Sequence, residues 1–183
     1  MKNIVLIGFM GTGKTSVGRR LAARLGRHFV DTDAAIEEVT GKTVSQIFTM
    51  YGVTRFRSEE TLLTKKLSGR EDLVIATGGG LILDPVNVSL LKEKGVLIAL
   101  TASLEVICQR LKNNKSRPLI QKADLRERIE NLLAERAGAY DVAEYILDTG
   151  SLNINETIEK ILEYLREQCC LQEGPEIEVY ENH

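Results

Sequence analysis

The sequence predicts an α/β protein in which a parallel β-sheet carries helices on both faces. Five short apolar runs alternate along the chain with segments whose apolar residues recur every three or four positions. Strands that alternate with helices form parallel sheets with right-handed crossovers, which place helices on both sides of the sheet. The chain of 183 residues has no internal repeat or low-complexity linker, so it suits one domain of this three-layer type.

The predicted strands are short and apolar, as expected for strands that are covered on both faces. In chain order they span residues 4–7, 28–31, 73–76, 96–100 and 145–147. Ligand sites in such sheets lie beyond the carboxyl ends of the strands. We therefore expect the residues that follow the first three strands to line one crevice.

Apolar spacing and capping residues predict the helices between these strands. The first helix ends at Gly26, and the second is interrupted at Thr40-Gly41. Thr43 and Gln46 form a capping-box pattern that begins another helix. Further helices are predicted to begin near Pro85, Ser103 and Asp124, and a last one to contain Ile158, Ile161, Leu162 and Leu165.

Composition narrows the class of protein and partner. The formal net charge is −2, whereas proteins that bind nucleic acid in bulk usually carry a basic excess, so we expect no nucleic-acid partner. No apolar run approaches the roughly 18–20 residues of a membrane span, and the first run is too short for a signal peptide. We expect a cytoplasmic protein without membrane contact and, since no exposed apolar stripe is evident, a monomer.

Cysteines and two polar segments complete the outline of the chain. Cys108, Cys169 and Cys170 are too few and too unevenly spaced for a disulfide framework or a zinc site, so we expect a buried thiol at Cys108 and exposed thiols at the other two. Residues 113–122 are polar, basic and without periodicity, which predicts a mobile loop. Residues 171–183 are predicted to form a flexible acidic tail.

Residues 8–15, Gly-Phe-Met-Gly-Thr-Gly-Lys-Thr, have the pattern of a phosphate-binding loop and lie between a strand and a helix, as that pattern requires. The glycines let backbone N–H groups wrap a polyphosphate, and the helix adds the positive end of its dipole. Lys14 would reach the β- and γ-phosphates and Thr15 would ligate Mg²⁺. We predict that a nucleoside triphosphate binds at Gly11, Thr12, Gly13, Lys14, Thr15 and Ser16.

The residues around this loop favour a small-molecule kinase. A switch GTPase would carry an Asn-Lys-x-Asp motif, which this chain lacks. A motor or transporter ATPase would usually be longer and carry an acid after a later strand, whereas the third strand here is followed by Thr77 and Gly78, with no acid. The first available acids are Asp31 and Asp33, after the second strand. In an extended segment both would point the same way, so that one serves magnesium while the other orients an acceptor hydroxyl or accepts its proton. The alternative is that Asp33 only caps the next helix.

Four further features each have a functional and a structural interpretation. Arg57 and Glu60 share a helix face, either as a surface salt bridge or as an arginine held to bind an anionic substrate. Arg136, on another helix, has the same two interpretations. The triple glycine 78–80 offers bare backbone N–H groups or is a flexible turn. Arg117 is a solvated charge or the cation of a lid that covers the phosphates.

Taken in order, these motifs resemble the pattern of the shikimate kinases. The motifs are Gly-Phe-Met-Gly-Thr-Gly-Lys-Thr-Ser-Val-Gly at 8–18, Asp-Thr-Asp at 31–33, Phe-Arg-x-x-Glu at 56–60, Gly-Gly-Gly at 78–80, Arg-Pro-Leu-Ile at 117–120, Arg-x-x-x-Tyr at 136–140 and Asp-Thr at 148–149. Each motif beyond the phosphate-binding loop is weak alone, but seven in this order are specific. The resemblance covers residues 4–165.

The resemblance implies a P-loop kinase with a nucleoside-monophosphate-kinase-like fold and strand order 2-3-1-4-5. It implies one domain over residues 1–170, with substrate-binding helices at about 33–62 and a lid at about 112–124. The implied reaction transfers the γ-phosphoryl group of ATP to the 3-hydroxyl of shikimate. The products would be ADP and shikimate 3-phosphate, on the route to chorismate and the aromatic amino acids.

The resemblance also implies roles on the nucleotide side. Lys14 and Arg117 would be catalytic, with Arg117 reaching the phosphates from the lid. Asp31 would join Thr15 at Mg²⁺ through water, and Arg110 would lie near the adenine.

On the acceptor side, the resemblance places Asp33 at the hydroxyl that is phosphorylated, as a third catalytic residue. Arg57 and Arg136 would hold the carboxylate of shikimate, helped by the backbone of Gly79 and Gly80. An acid that bears several hydroxyls suits two arginines and one aspartate.

Two rival functions share part of this pattern. Another small-acid or polyol kinase of the same fold, such as a gluconate kinase, would have the phosphate-binding loop but not the Asp-Thr-Asp, Phe-Arg-x-x-Glu and triple-glycine set. A non-catalytic paralogue that only binds ATP would have lost Lys14, Asp33 or Arg117, and all three are present.

Overall fold

The computed structural model describes residues 2–112 and 122–168 and contains one parallel β-sheet. Its strands are β1 (Asn3–Ile7), β2 (His28–Asp31), β3 (Leu73–Ala76), β4 (Gly95–Thr101) and β5 (Tyr145–Asp148). They are hydrogen-bonded in the order β2-β3-β1-β4-β5, and every neighbouring pair is parallel. The predicted fold class and strand order are confirmed.

The described residues form seven α-helices around this sheet. They are α1 (Lys14–Leu25), α2 (Thr32–Thr40), α3 (Val44–Ser68), α4 (Pro85–Lys94), α5 (Leu104–Lys112), α6 (Lys122–Glu135) and α7 (Ile154–Glu167), with a 3₁₀ turn at Leu81–Leu83. Thr43 and Gln46 form the predicted capping box at the start of α3, and Gly26 ends α1 in the left-handed conformation. The 3₁₀ turn was not predicted.

The core lies in two layers because successive strand residues point to opposite faces of the sheet. On one face, Leu6 packs with Leu21 of α1 and Ile161 of α7. On the other face, Ile7 packs with Leu67 of α3 and Leu91 of α4. All of these are buried apolar side chains, each of which contributes about 1.5–3 kcal/mol through removal from water. These two layers hold the carboxyl ends of the strands in place, and the segments that follow the strands begin there.

Two smaller clusters hold the segments beside those strand ends. Ile36 of α2 packs against Ile47 and Phe56 of α3, which fixes the two helices that carry Asp33 and Arg57. Phe9 packs against Ile107 and Cys108 of α5 and Ile129 of α6. Cys108 is a buried free thiol, as predicted. Within 2–112 and 122–168, no helix combines the length and apolar character required to cross a bilayer.

Candidate active site

The loop at residues 8–15 connects β1 to α1 at the carboxyl end of the sheet. Gly13 is the N-cap of α1 with a left-handed φ of 98°, and no side chain caps the helix. The first-turn N–H groups of α1 therefore have no side-chain acceptor, and together with the helix dipole they form an anion-binding helix start. Thr12 is buried and donates its hydroxyl to the Phe9 carbonyl at 2.8 Å, which braces the loop from inside.

Lys14 begins α1, and its side chain turns back into the loop. The residue is only 8% exposed, and its Nζ donates to the Phe9 carbonyl at 2.7 Å. Burial lowers the pKa of Lys14 from 10.5 to about 8, while the nearby carboxylates of Asp33 and Asp31 oppose the shift. A buried cation with a depressed pKa gains most from an anionic partner, so this ammonium is suited to a phosphate.

Asp31 is the last residue of β2, and its side chain hydrogen-bonds to Thr15 of the phosphate-binding loop. Its Oδ1 accepts hydrogen bonds from the backbone N–H groups of Asp33 at 3.1 Å and Ala34 at 3.3 Å, so Asp31 is the N-cap of α2. Its Oδ2 accepts the Thr15 hydroxyl at 2.7 Å. The predicted extended geometry is wrong here: because α2 begins at Thr32, Asp33 lies in a helical first turn, and Asp31 is the residue that caps the helix.

Asp33 nevertheless faces the same crevice as Asp31. Both carboxylates interact electrostatically with the Lys14 ammonium. The Asp33 carboxylate also packs so closely on Gly78 that a Cβ there would clash with it. Beside it, the Gly78 N–H donates to the Thr32 hydroxyl at 2.8 Å, which joins the ends of β2 and β3.

Arg57 and Glu60 form an ion pair on the face of α3 that points into the crevice. Arg57 Nη1 lies 2.5 Å from Glu60 Oε2, and the Glu60 side chain is 1% exposed. Burial raises the pKa of the Glu60 carboxyl, while Arg57 lowers it. The guanidinium lies directly beside Gly80, where a Cβ would come within 2.5 Å of Nη2. This is an arginine held by a buried acid rather than a surface salt bridge.

Arg136 also contacts the triple glycine. It follows the last residue of α6, its Nη1 donates to the Gly79 carbonyl at 3.2 Å, and its guanidinium carbon lies 5.5 Å from the centre of the Phe9 ring. A cation over an aromatic face is attracted by the ring quadrupole. The Tyr140 hydroxyl donates to the same Gly79 carbonyl at 3.0 Å. Gly79 and Gly80 therefore lie between two arginines.

The comparison with known proteins identifies the family of the chain. The family model described as shikimate kinase matches residues 10–166. The chain belongs to this family. A curated shikimate kinase from Pelotomaculum thermopropionicum is 66% identical over 167 residues, which cover 91% of this chain and 97% of the relative. One from Desulforudis audaxviator is 53% identical over 178 residues, 97% of this chain and 94% of the relative.

Solved structures separate the family from the wider fold. A shikimate kinase from Acinetobacter baumannii in complex with shikimate matches with a TM-score of 0.85 and 39% identity, over 92% of this chain and 94% of that chain. A sugar kinase from Janibacter sp. HTCC2649 matches with a TM-score of 0.64 at 20% identity, over 91% of this chain and 95% of that chain. The second likeness shows a shared fold alone.

Arg110 contacts the back of the phosphate-binding loop. Its Nη1 donates to the Gly11 carbonyl at 3.3 Å and to the Thr149 hydroxyl at 3.0 Å, and its Nη2 donates to the Thr149 carbonyl at 2.6 Å. The Thr149 hydroxyl oxygen also lies 3.1 Å from the Thr12 carbonyl oxygen. Arg110 thus connects α5 and the residue after β5 to the phosphate-binding loop through hydrogen bonds. Its position near the adenine remains a prediction.

Two predicted features lie outside the described residues: Arg117, with residues 113–121 of the lid predicted at 112–124, and the thiols of Cys169 and Cys170 with the tail at 171–183. Two residues that contact the candidate site were not assigned to it from sequence, namely Tyr140 and Thr149. Both lie within motifs of the family pattern, which is the signal that could have found them. Their spacing alone carries no information about which side chains meet.

Proposed function

We propose that this protein is a shikimate kinase that transfers the γ-phosphoryl group of ATP to the 3-hydroxyl of shikimate. The observation that carries the proposal is the pair of arginines. Arg57 contacts Gly80 and Arg136 contacts Gly79, while Asp33 lies close enough to Lys14 to interact with its charge. The two arginines would bind a carboxylate at one end of the acceptor, and Asp33 would contact a reactive hydroxyl at the other end.

The donor side of the proposed reaction rests on the phosphate-binding loop. The N-terminus of α1 would bind the β- and γ-phosphates through backbone N–H groups, and Lys14 would turn from the Phe9 carbonyl to the phosphate oxygens. Binding a phosphate there would replace the desolvation of an isolated ammonium by a direct ion pair, which raises the pKa of Lys14 again. The Lys14 charge then stabilises the negative charge that develops on the transferred group.

Asp33 would orient the acceptor. Its carboxylate would accept the hydrogen bond of the 3-hydroxyl and take its proton as the oxygen–phosphorus bond forms and the bond between the γ-phosphorus and the bridging oxygen breaks. The leaving oxygen remains on ADP, so atoms and charge balance. Gly78 sets the position of Asp33, since there is no room for a larger residue between them.

Magnesium fits this site as a partner of the nucleotide. Thr15 Oγ1 and Asp31 Oδ2 are oxygen donors 2.7 Å apart, and oxygen donors are the ligands that Mg²⁺ prefers. Within the described residues no group of three or more His, Cys, Asp or Glu side chains could hold a metal alone, which agrees with an ion shared with phosphates and water. When bound, the ion would neutralise charge on the phosphate oxygens.

The remaining parts of the proposal extend the family resemblance. We propose one kinase domain over residues 1–170, with Arg117 supplied by a lid at about 112–124, and a monomer in the cytoplasm. A rival acceptor, such as gluconate, would keep the donor side unchanged. The acceptor therefore has to be identified by experiment.

The test is a coupled assay of ADP release with ATP, Mg²⁺ and a panel of shikimate, gluconate and nucleoside monophosphates. We expect turnover with shikimate far above the rate without an acceptor, and only background rates with the others. Turnover with gluconate alone would support the polyol-kinase alternative. Background rates with every acceptor, despite ATP binding, would support the non-catalytic alternative.

A further inference from the structure

The side chain of Tyr140 reaches the triple glycine, although the sequence alone predicts no role for this residue. Its hydroxyl donates to the Gly79 carbonyl at 3.0 Å, and Arg136 donates to the same oxygen at 3.2 Å. The tyrosine ring packs against the core cluster on the α3 side of the sheet and against the cluster that contains Phe9. The ring thus fixes where the hydroxyl lies, and the hydroxyl and Arg136 share one acceptor.

The orientation of the Gly79 carbonyl also determines the orientation of a second group, the Gly80 N–H. The peptide between Gly79 and Gly80 is trans and planar, so the Gly79 carbonyl and the Gly80 N–H point in opposite directions within one plane. Glycine restricts its peptide plane less than any other residue, and three follow one another here. Holding the Gly79 oxygen from one side therefore fixes the direction of the Gly80 N–H, and the Cα of the same Gly80 lies beside the Arg57 guanidinium.

We propose that Tyr140 is a positioning residue for the acidic substrate: its hydroxyl fixes the Gly79 carbonyl, and thereby sets both the Gly80 N–H and the Arg136 guanidinium that face the substrate carboxylate. This inference rests on the proposed function, since it takes Arg57, Arg136 and the Gly79–Gly80 backbone as the site of that carboxylate. Tyr140 acts through these groups and does not touch the reacting atoms.

The environment of Tyr140 keeps its hydroxyl a donor. Burial raises the pKa of Tyr140, and the Arg136 guanidinium opposes this shift only in part. The phenol is therefore protonated at neutral pH and can donate to the carbonyl. A tyrosinate would instead repel the carbonyl oxygen and bind Arg136 away from the substrate.

The test is the substitution Tyr140→Phe, which removes the hydroxyl and keeps the ring. Loss of one neutral hydrogen bond predicts a rise of about three- to tenfold in the KM for shikimate and in the Kd for shikimate measured by calorimetry without nucleotide. We expect kcat at saturating shikimate and the KM for ATP to stay within about twofold of the wild type, because phenylalanine keeps the ring that packs against the cluster of Phe9, and the hydroxyl that is lost donates to Gly79 on the proposed acceptor side.

A matched control is Tyr145→Phe, which removes the same atom from a ring on β5. Tyr145 stacks on Tyr164, with ring centres 4.4 Å apart, and belongs to the cluster on the other face of the sheet. We expect both KM values of this variant to equal those of the wild type. The melting temperature of Tyr145→Phe, compared with that of the wild type, gives the change in stability that the loss of a hydroxyl far from the site causes.

The outcomes separate the inference from the function on which it rests. If the wild type phosphorylates shikimate and Tyr140→Phe leaves the KM and Kd for shikimate unchanged, the inference is overturned and the function stands. If Tyr140→Phe raises the KM for ATP as much as the KM for shikimate, the hydroxyl serves packing only, and the inference is again overturned. If the wild type neither binds nor phosphorylates shikimate, both fall together.

Discussion

Arg57 and Arg55 lie two residues apart on α3, yet the structure gives them different surroundings. Arg57 pairs with the buried Glu60, whereas the side chain of Arg55 is 60% exposed and pairs with Glu59. The side chain of Arg57 is 32% exposed and its guanidinium lies against Gly80. The exposure of the arginine and its contact with the triple glycine therefore distinguish the proposed substrate arginine from Arg55 on the same helix.

This contrast predicts different kinetics for two alanine variants. Arg57→Ala removes charge-assisted hydrogen bonds to an anionic substrate, so we expect the KM for shikimate to rise about 10–100-fold with little change in the KM for ATP. Arg55→Ala is the matched control and should leave both values near those of the wild type. Steady-state kinetics with each substrate varied in turn measures this, and equal effects of the two variants would argue against a site at Arg57.

Asp33 should control the rate more than the binding of nucleotide. Asp33→Asn keeps the size of the side chain and removes its basicity, so we expect kcat to fall by about 10²–10⁴-fold while the KM for ATP changes little. Parallel measurement of nucleotide affinity by calorimetry checks the second part. Loss of ATP binding in step with kcat would mean that Asp33 serves the nucleotide.

Glu60 should leave a signature in the pH dependence of stability. Burial raises the pKa of its carboxyl above the usual 4.5, so the folded state binds this proton more tightly than the unfolded chain. The stability contributed by the protonated carboxyl is complete below the unfolded pKa and is lost as pH rises through the folded pKa. Glu60→Gln removes this titration. We expect the difference in unfolding free energy between Glu60→Gln and the wild type to move in favour of the variant as pH rises above about 4.5, measured by urea unfolding.

A difference in unfolding free energy that stays constant over that range would show that Glu60 does not titrate in it. The same variant should hold Arg57 less firmly, because a neutral amide replaces a carboxylate in the ion pair. We therefore expect a higher KM for shikimate, together with a difference in stability that moves in favour of the variant as pH rises.

At the scale of the elements, α3 contains a break that the sequence pattern does not predict. Gly52 has φ 79° and ψ 175°, a region that is essentially restricted to glycine, within a helix that otherwise runs from Val44 to Ser68. The segment before the break carries Ile47, and the segment after it carries Phe56, both of which pack against Ile36. The break allows one helix to serve both contacts.

Gly52→Ala should destabilise the protein by about 1–3 kcal/mol through the backbone alone. An added Cβ meets no atom within 4 Å, so steric overlap makes no contribution. Gly69→Ala, at the end of the same helix, is the control: Gly69 has φ −77°, and we expect no loss of stability or a slight gain. Equal destabilisation by the two substitutions in thermal unfolding would contradict a conformational requirement at Gly52.

The sequence predicted the elements well where the local pattern is strong. The apolar runs of the five strands, the capping box at Thr43 and the glycine that ends α1 were all recognised before the structure, because each is encoded by neighbouring residues. The prediction failed at Asp31–Asp33, where a strand passes into a helix without an intervening loop. Whether Asp31 or Asp33 caps that helix depends on where β2 ends, which is decided by its pairing with β3.

Contacts between distant segments account for most of what the sequence did not predict in the candidate site. Gly78 packs against Asp33 and Tyr140 contacts Gly79 across more than 40 residues of chain, and neither partner affects the local pattern of the other. The family resemblance named the motifs, but the geometry that joins them comes from the order of the strands. The roles assigned to the individual site residues remain predictions that the variants above test.

At the scale of the whole molecule, the proposed function divides the crevice into a donor half and an acceptor half. The loop between β1 and α1 would provide the donor half, whereas α2, α3 and the segments after β3 and α6 would provide the acceptor half. Because one fold can carry many functions, the fold does not determine the acceptor. In this proposal the acceptor is determined by Asp33, Arg57, Arg136 and the triple glycine.

Phosphorus and proton NMR of the reaction product tests the proposed function most directly. The protein, ATP, Mg²⁺ and shikimate are incubated, and the product is compared with a control that lacks shikimate. We expect one new phosphate monoester, formed in step with ADP, whose phosphorus couples to the proton on carbon 3 of shikimate. ADP formed at the same rate without shikimate, or a phosphate on a different hydroxyl, would contradict the assignment of Asp33 and the two arginines to the acceptor.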